Sequence, residues 1–133
     1  METKRKIFVI DDDPLILTLV KSSLEAESIL VDTFQYGEEL FKHFNERPDL
    51  IILDYLFHSN EPDKVMDGKE IFNKIREIDK KVPIIMLSGQ EDGEVVLELA
   101  RMGIVDYVIK DDEFINNLKE VIREVFDPDN SHD

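Results

Sequence analysis

Ile7–Phe8–Val9–Ile10–Asp11–Asp12–Asp13–Pro14 sets the architecture of the chain. Four apolar residues run without a polar break and stop in three acids and a proline. A short apolar run ending at a breaker predicts a strand buried on both faces, as in parallel sheets. Asp13 before Pro14 predicts a helix N-cap followed by proline at the first helical position. The strand then delivers Asp11 and Asp12 to its C-terminal end, the edge where open parallel sheets place their sites. Neighbouring carboxylates repel; two charges ~5 Å apart cost on the order of 3 kcal/mol at a protein-like effective dielectric. Acids gathered at such an edge predict a bound cation.

Outward from this stretch, strand and helix patterns alternate. Leu15, Ile16, Leu19, Val20 and Leu24 fall at helical spacing and predict a first helix to about Glu27. Ile29–Phe34 is rich in β-branched residues and reads as a second strand, interrupted by Asp32. Leu40, Phe41 and Phe44 mark a second helix that stops before Pro48, and Asp49–Asp54 is a third apolar run ending in an acid. After a polar loop from Tyr55 to about Asp67, Ile71, Phe72, Ile75 and Ile78 mark a third helix. Pro83–Leu87 reads as the fourth strand, ending at Ser88–Gly89. Val95, Val96, Leu99 and Ala100 predict a fourth helix closed by Gly103. Ile104–Ile109 is the fifth strand, with Lys110 at its end. Phe114, Leu118, Val121, Ile122 and Val125 stripe a last helix that Asp127–Pro128 terminates. Five β–α units predict a doubly wound, five-stranded parallel sheet with helices on both faces, a three-layer α/β/α fold.

The chain of 133 residues fits a single domain, its core running from about residue 6 to 126 with a short acidic tail at 127–133. Met1 and the Asp127–Pro128 exit read as natural limits. Hydrophobic residues make up 42% and charged residues 35%, a globular balance. The absence of cysteine excludes disulfides, thiolate metal sites and cysteine nucleophiles. No apolar stretch reaches the ~18 residues of a membrane span and no signal-peptide core follows Met1, so the expected compartment is the cytoplasm. The net charge of −15 repels phosphate backbones and anionic membranes, which argues against direct nucleic-acid or membrane binding. It suits cations and basic protein surfaces.

The polar residues at the strand ends form a set: Asp11 and Asp12 after the first, Asp54 at the third, Ser88 at the fourth, Lys110 after the fifth. Strand C-termini of a doubly wound sheet lie on one edge, so these side chains can converge. Three carboxylates make a hard-oxygen site of the kind Mg²⁺ uses, with Mn²⁺ as the alternative ion. An ammonium and a hydroxyl opposite them suit phosphoryl oxygens, and a carboxylate is itself a nucleophile able to form an aspartyl phosphate. Read singly, each residue also has a structural use. Asp54 can cap a turn, Ser88–Gly89 can form one, Tyr107 can pack and Lys110 can snorkel at a sheet edge. His43, His58 and His132 share no metal-ligand spacing and read as surface residues.

Asp11, Asp12, Asp54, Ser88, Tyr107 and Lys110, in this order on these strands, resemble the receiver domain of bacterial two-component response regulators. Met66–Asp67–Gly68 is similar to the segment opening that family's third helix. The resemblance spans about Lys6 to Phe126 and implies a flavodoxin-like sheet of strand order 2-1-3-4-5. It implies a phosphorylation-dependent switch rather than an enzyme acting on a separate substrate. Asp54 is then the phosphoacceptor, receiving its phosphoryl group from a histidine kinase or phosphotransfer protein. Asp12, Asp54 and the backbone carbonyl of Leu56 would hold Mg²⁺, with Asp11 acting through water. Lys110 would meet the phosphoryl oxygens, Ser88 would swing in to hydrogen-bond another, and Tyr107 would be the switch aromatic. The output would pass by protein contact through the face of helix four, strand five and helix five to a downstream effector. The chain would act as a monomer or a phosphorylation-linked dimer.

Three positions depart from the family pattern. Asp111 follows Lys110 where the family usually has proline after a cis bond, predicting a trans bond here, with Asp111, Asp112 and Glu113 serving the positive end of the last helix. The loop after Asp54 is about six residues longer than usual, with His58, Ser59, Asn60, Glu61, Pro62, Asp63 and Lys64 as the insertion. Leu56 and Gln90 occupy positions that affect phosphoryl lifetime in the family, and an apolar Leu56 predicts slow hydrolysis. Two other classes fit parts of the pattern: a pseudo-receiver that binds partners without phosphorylation, and a haloacid-dehalogenase-like phosphohydrolase using Asp11.

Overall fold

The computed structural model describes residues 4–55, 66–89 and 93–128. Among these described residues, five strands alternate with five α-helices: β1 Arg5–Ile10, α1 Pro14–Leu24, β2 Ile29–Phe34, α2 Gly37–Lys42, β3 Leu50–Asp54, α3 Gly68–Ile78, β4 Ile84–Ser88, α4 Gly93–Arg101, β5 Asp106–Ile109 and α5 Phe114–Phe126. All pairings are parallel and the order is β2-β1-β3-β4-β5, the doubly wound arrangement expected. β1 is therefore flanked on both sides, by β2 and β3.

The unbroken apolar runs follow from burial on both faces. Phe8 and Ile10 of β1 point into one core with Ile51 and Leu53 of β3, covered by Leu40, Ile71, Phe72 and Ile75 from α2 and α3 and by Leu99 from α4. Ile7 and Val9 point the other way, with Leu50 and Ile52, under Leu17 and Val20 of α1 and Phe114, Leu118 and Ile122 of α5. Alternation with period two thus splits one apolar run between two cores. The side chains of Val95 and Val96, part of the predicted stripe of α4, lie outside the described residues.

Several boundaries differ from the sequence reading for local reasons. α1 ends at Leu24 rather than near Glu27, because Ala26 and Ile29 exchange backbone hydrogen bonds in a tight turn. The helix predicted up to Pro48 is two pieces, α2 and a 3₁₀ turn over Phe44–Glu46. Proline disfavours the right-handed helical region for the residue before it, and Arg47 exits in the left-handed region at φ 57°. α4 closes as expected: Gly103 takes φ 75°, which L side chains rarely adopt. β5 is shorter than read and starts at Asp106, although Val105 already donates to the Ile84 carbonyl at 2.9 Å.

Candidate functional site

The site is built by the C-terminal ends of β1, β3, β4 and β5. Asp11 continues the parity of Ile7 and Val9, and Asp54 that of Leu50 and Ile52, so both carboxylates belong to the sheet face covered by α1 and α5. Lys110 follows Val108 at the same parity and is held in place by its backbone N–H, which donates to the Ser88 carbonyl at 2.8 Å. Its ammonium lies 2.8 Å from Asp11 Oδ2 and 3.4 Å from Asp54 Oδ2. Carboxylate oxygens of Asp11, Asp12 and Asp54 lie within 4.8 Å of one another. The structure therefore brings together four of the residues singled out from sequence, and Ser88, almost fully buried, ends β4 beside them.

The three acids of the opening stretch do different jobs. Asp13 caps α1, its Oδ1 accepting from the Leu15 N–H at 2.9 Å, with Pro14 at the first helical position. Asp12 is exposed. Asp11 is fully buried; its Oδ1 accepts from the Asp13 N–H at 2.9 Å. Its Oδ2 lies 2.8 Å from the Lys110 ammonium, so among the described residues this buried oxygen has a charge partner and no aligned hydrogen-bond donor.

Electrostatics mark the cluster as short of positive charge. Burial raises the pKa of Asp11, and contacts from Lys110 and the Asp13 N–H offset this only in part. Burial, then the charge of Asp11, push Asp54 up to about 6 against the opposing effect of Lys110. Burial disfavours the Lys110 ammonium, but Asp11 and Asp54 outweigh it and its pKa is raised. Among the described residues, one ammonium faces three carboxylates and does not balance them. An oxygen-rich, cation-deficient cradle with a buried, poorly satisfied oxygen fits a small divalent ion that keeps part of its water shell. The residues present therefore fit Mg²⁺.

The shoulder of the site is formed by Asp67 and Gly68. Asp67 and Glu70 form a complete capping box, with Asp67 Oδ1 accepting from the Glu70 N–H at 2.9 Å and Glu70 Oε1 from the Asp67 N–H at 3.3 Å. Gly68 lies so close to the chain beyond Asp54 that a Cβ there would sit 2.4 Å from the Tyr55 carbonyl oxygen and 2.7 Å from that of Asp54. Only glycine fits. The next residue, Lys69, pairs with Glu98 of α4 at 3.4 Å, and Glu98 is also hydrogen-bonded by the Tyr55 hydroxyl. Burial and then Glu98 push the Tyr55 hydroxyl up to about 12. Sequence reasoning missed this link, since residues so far apart in the chain carry no shared periodicity.

Beyond Lys110 all described peptide bonds are trans. Asp111 still organises the start of α5: its Oδ1 accepts from the Glu113 N–H at 2.9 Å and its carbonyl from the Phe114 N–H at 3.1 Å. Tyr107 is half-buried on β5, packed against the core that includes Met86. His43 is exposed and pairs with Glu46 at 2.8 Å. Leu56, the insertion at 58–64, Gln90 and His132 lie outside the described residues.

The family model described as response regulator receiver domain matches residues 7–123. The alkaline phosphatase synthesis transcriptional regulatory protein PhoP of Bacillus subtilis is 36% identical over 108 residues, 80% of this chain and 42% of that protein. In structure, the chain is similar to response regulator DrrB of Thermotoga maritima, with a TM-score of 0.80 at 29% identity over 96% of this chain and 54% of that one. It is also similar to chemotaxis protein CheY4 of Vibrio cholerae, with a TM-score of 0.76 at 28% identity over 92% of this chain and 99% of that one. The chain spans less than half the length of the first curated relatives, 41% to 45%.

Proposed function

Because the chain belongs to the response regulator receiver domain family, we propose that it is a single receiver unit, core about 6–126, that is phosphorylated on Asp54. The observation that carries this reading is the Lys110 ammonium lying between Asp54 and Asp11, at the edge where three carboxylates meet. An Asp54 oxygen attacks the phosphorus of a phosphohistidine on a histidine kinase or phosphotransfer protein. The P–N bond breaks, the imidazole departs, and an acyl phosphate remains. Lys110 meets the equatorial oxygens of the transferring group, and the Ser88 hydroxyl donates to one of them in the product. Asp12 and Asp54, with the Leu56 carbonyl, would hold Mg²⁺, and Asp11 would hold it through water. The ion, or Mn²⁺ in its place, supplies charge neutralisation at the phosphoryl oxygens. Asp11 suits the nucleophile's role less well, because it is fully buried, its Oδ1 accepts from the Asp13 N–H and its Oδ2 faces the Lys110 ammonium.

Tyr107 turns inward as Ser88 engages the phosphoryl group, and α4, β5 and α5 present the result to a downstream effector protein. The setting is cytoplasmic, and the chain acts by protein contact as a monomer or a phosphorylation-linked dimer. Incubation with acetyl phosphate and Mg²⁺, read by intact mass, tests the central claim. One added phosphoryl group is expected, absent with EDTA and absent in Asp54→Asn. No mass change, with a phosphorylated donor protein also tried, overturns it.

A further inference from the structure

At the opposite edge of the sheet from the phosphorylation site, a cavity of about 570 Å³ opens between the C-terminal ends of α1 and α5 and the starts of β1 and β2. Six strand residues separate the two edges along β1, a span of roughly 20 Å. Leu24 and Ile122, both nearly fully buried, line the cavity together with the half-buried Ile29 and Phe126. Arg5, Lys119 and Arg123 also line it, with Asp127 as the one acid among the described lining residues. Among the described lining residues basic side chains outnumber acidic ones, the reverse of a chain that carries 31 acids and 16 bases.

Two of these cations have no acidic partner among the described residues. Arg5 stacks its guanidinium over the Phe126 ring at 5.0 Å, which leaves its N–H edge without a carboxylate among the described residues. Lys119 likewise has no ion pair among them, whereas Arg123 is held by Glu120. The volume falls in the range of small-molecule sites, which combine an apolar lining with a few polar groups that fix orientation. A guanidinium pre-ordered by stacking is suited to paired N–H contacts with a planar carboxylate or a sulfonate.

We propose that this cavity binds a small amphipathic organic anion, its apolar body against Leu24, Ile29, Ile122 and Phe126 and its acidic group at Arg5 and Lys119. The cavity shares no described lining residue with the proposed phosphorylation site. Binding at this edge is therefore expected equally in Asp54→Asn, and it stands or falls separately from the function proposed above.

The probes are dodecanoate and 8-anilinonaphthalene-1-sulfonate, with dodecylamine as the cationic counterpart, all kept below their micelle concentrations and added to the full chain. Calorimetric titration should give saturable 1:1 binding of both anions, and amide NMR shifts should centre on Arg5, Leu24, Ile29 and Phe126. The double variant Arg5→Gln/Lys119→Gln should weaken anion binding at least tenfold at unchanged melting temperature, and Arg5→Lys/Lys119→Arg, which keeps both charges but not the stacked guanidinium, should restore only part of it. Should the double variant lose its fold, Ser28→Trp, which adds bulk at the cavity wall, must still reduce binding. Equal affinity for dodecylamine, unsaturable binding, shifts scattered over the surface, or undiminished affinity in both the double variant and Ser28→Trp overturns the proposal.

Discussion

At the residue scale, the cost of Asp54 is the clearest consequence of the geometry. Its folded-state pKa of about 6 stands above the ordinary 3.8 because burial and Asp11 oppose its charge. A carboxyl raised on folding favours the folded state while it is protonated. Its contribution is fully present below about pH 4 and is lost as pH rises through about 6. A rise of that size corresponds to about 3 kcal/mol at neutral pH. In EDTA, Asp54→Asn should therefore be more stable than the wild type at pH 7 by up to about that amount, and the difference should shrink toward pH 4; paired urea titrations measure it. A wild type that gains on the variant as pH rises would contradict the assigned cause. Gly68 makes the opposite case. The atoms that a Cβ would meet are carbonyl oxygens of Asp54 and Tyr55, which cannot rotate away. Gly68→Ala should cost roughly 1–3 kcal/mol or more, and the displaced β3 end should slow acetyl-phosphate labelling of Asp54. Sequence placed Asp11, Asp12, Asp54, Ser88 and Lys110 on one edge, because strand-terminal polar residues stand out against apolar runs. It named Gly68 only as part of a family-like segment, since a close backbone approach leaves no pattern in the chain.

At the element scale, what was legible follows the strength of the periodic signal. The buried strands read correctly because β1, β3 and β4 are apolar on both faces, and α5 read correctly because its stripe ends at Asp127–Pro128. The stretch marked by Leu40, Phe41 and Phe44 read as one helix stopping before Pro48, because these residues keep helical spacing across the break. The 3₁₀ turn preserves their burial while its own backbone bonds tighten the exit: Glu46 N–H to the His43 carbonyl at 3.0 Å and Arg47 N–H to the Phe44 carbonyl at 3.0 Å. Joining elements is what sequence patterns encode least. Tyr55 after β3, Lys69 at the start of α3 and Glu98 within α4 form one polar link beside the site. Tyr55→Phe should lower the melting temperature, and Glu98→Gln should lower it further in the wild type than in the Tyr55→Phe background. Strictly additive effects in that double-mutant cycle would show that the link couples nothing.

At the scale of the whole molecule, the net charge of −15 and the acidic edge make different demands on ions, and the two can be separated. General self-repulsion is relieved by any salt, because screening acts on the whole surface. A coordination site responds to a specific ion, by an amount set by its free concentration relative to the dissociation constant. Raising KCl should therefore lift the melting temperature gradually in the wild type and in Asp12→Ala alike. Asp12 suits this comparison because it is exposed, so truncating it uncovers no core. Mg²⁺ added at constant ionic strength should then stabilise only the wild type. A tenfold excess over the dissociation constant gives about 1.4 kcal/mol, on the order of 5 °C for a domain of this size. Asp54→Asn, in which one proposed ligand and its repulsion are both removed, should start higher and gain less from Mg²⁺. If Mg²⁺ and KCl at matched ionic strength raise the melting temperature of the wild type equally, the edge acts only as a patch of charge, and a metal-assisted phosphotransfer at Asp54 loses its physical basis.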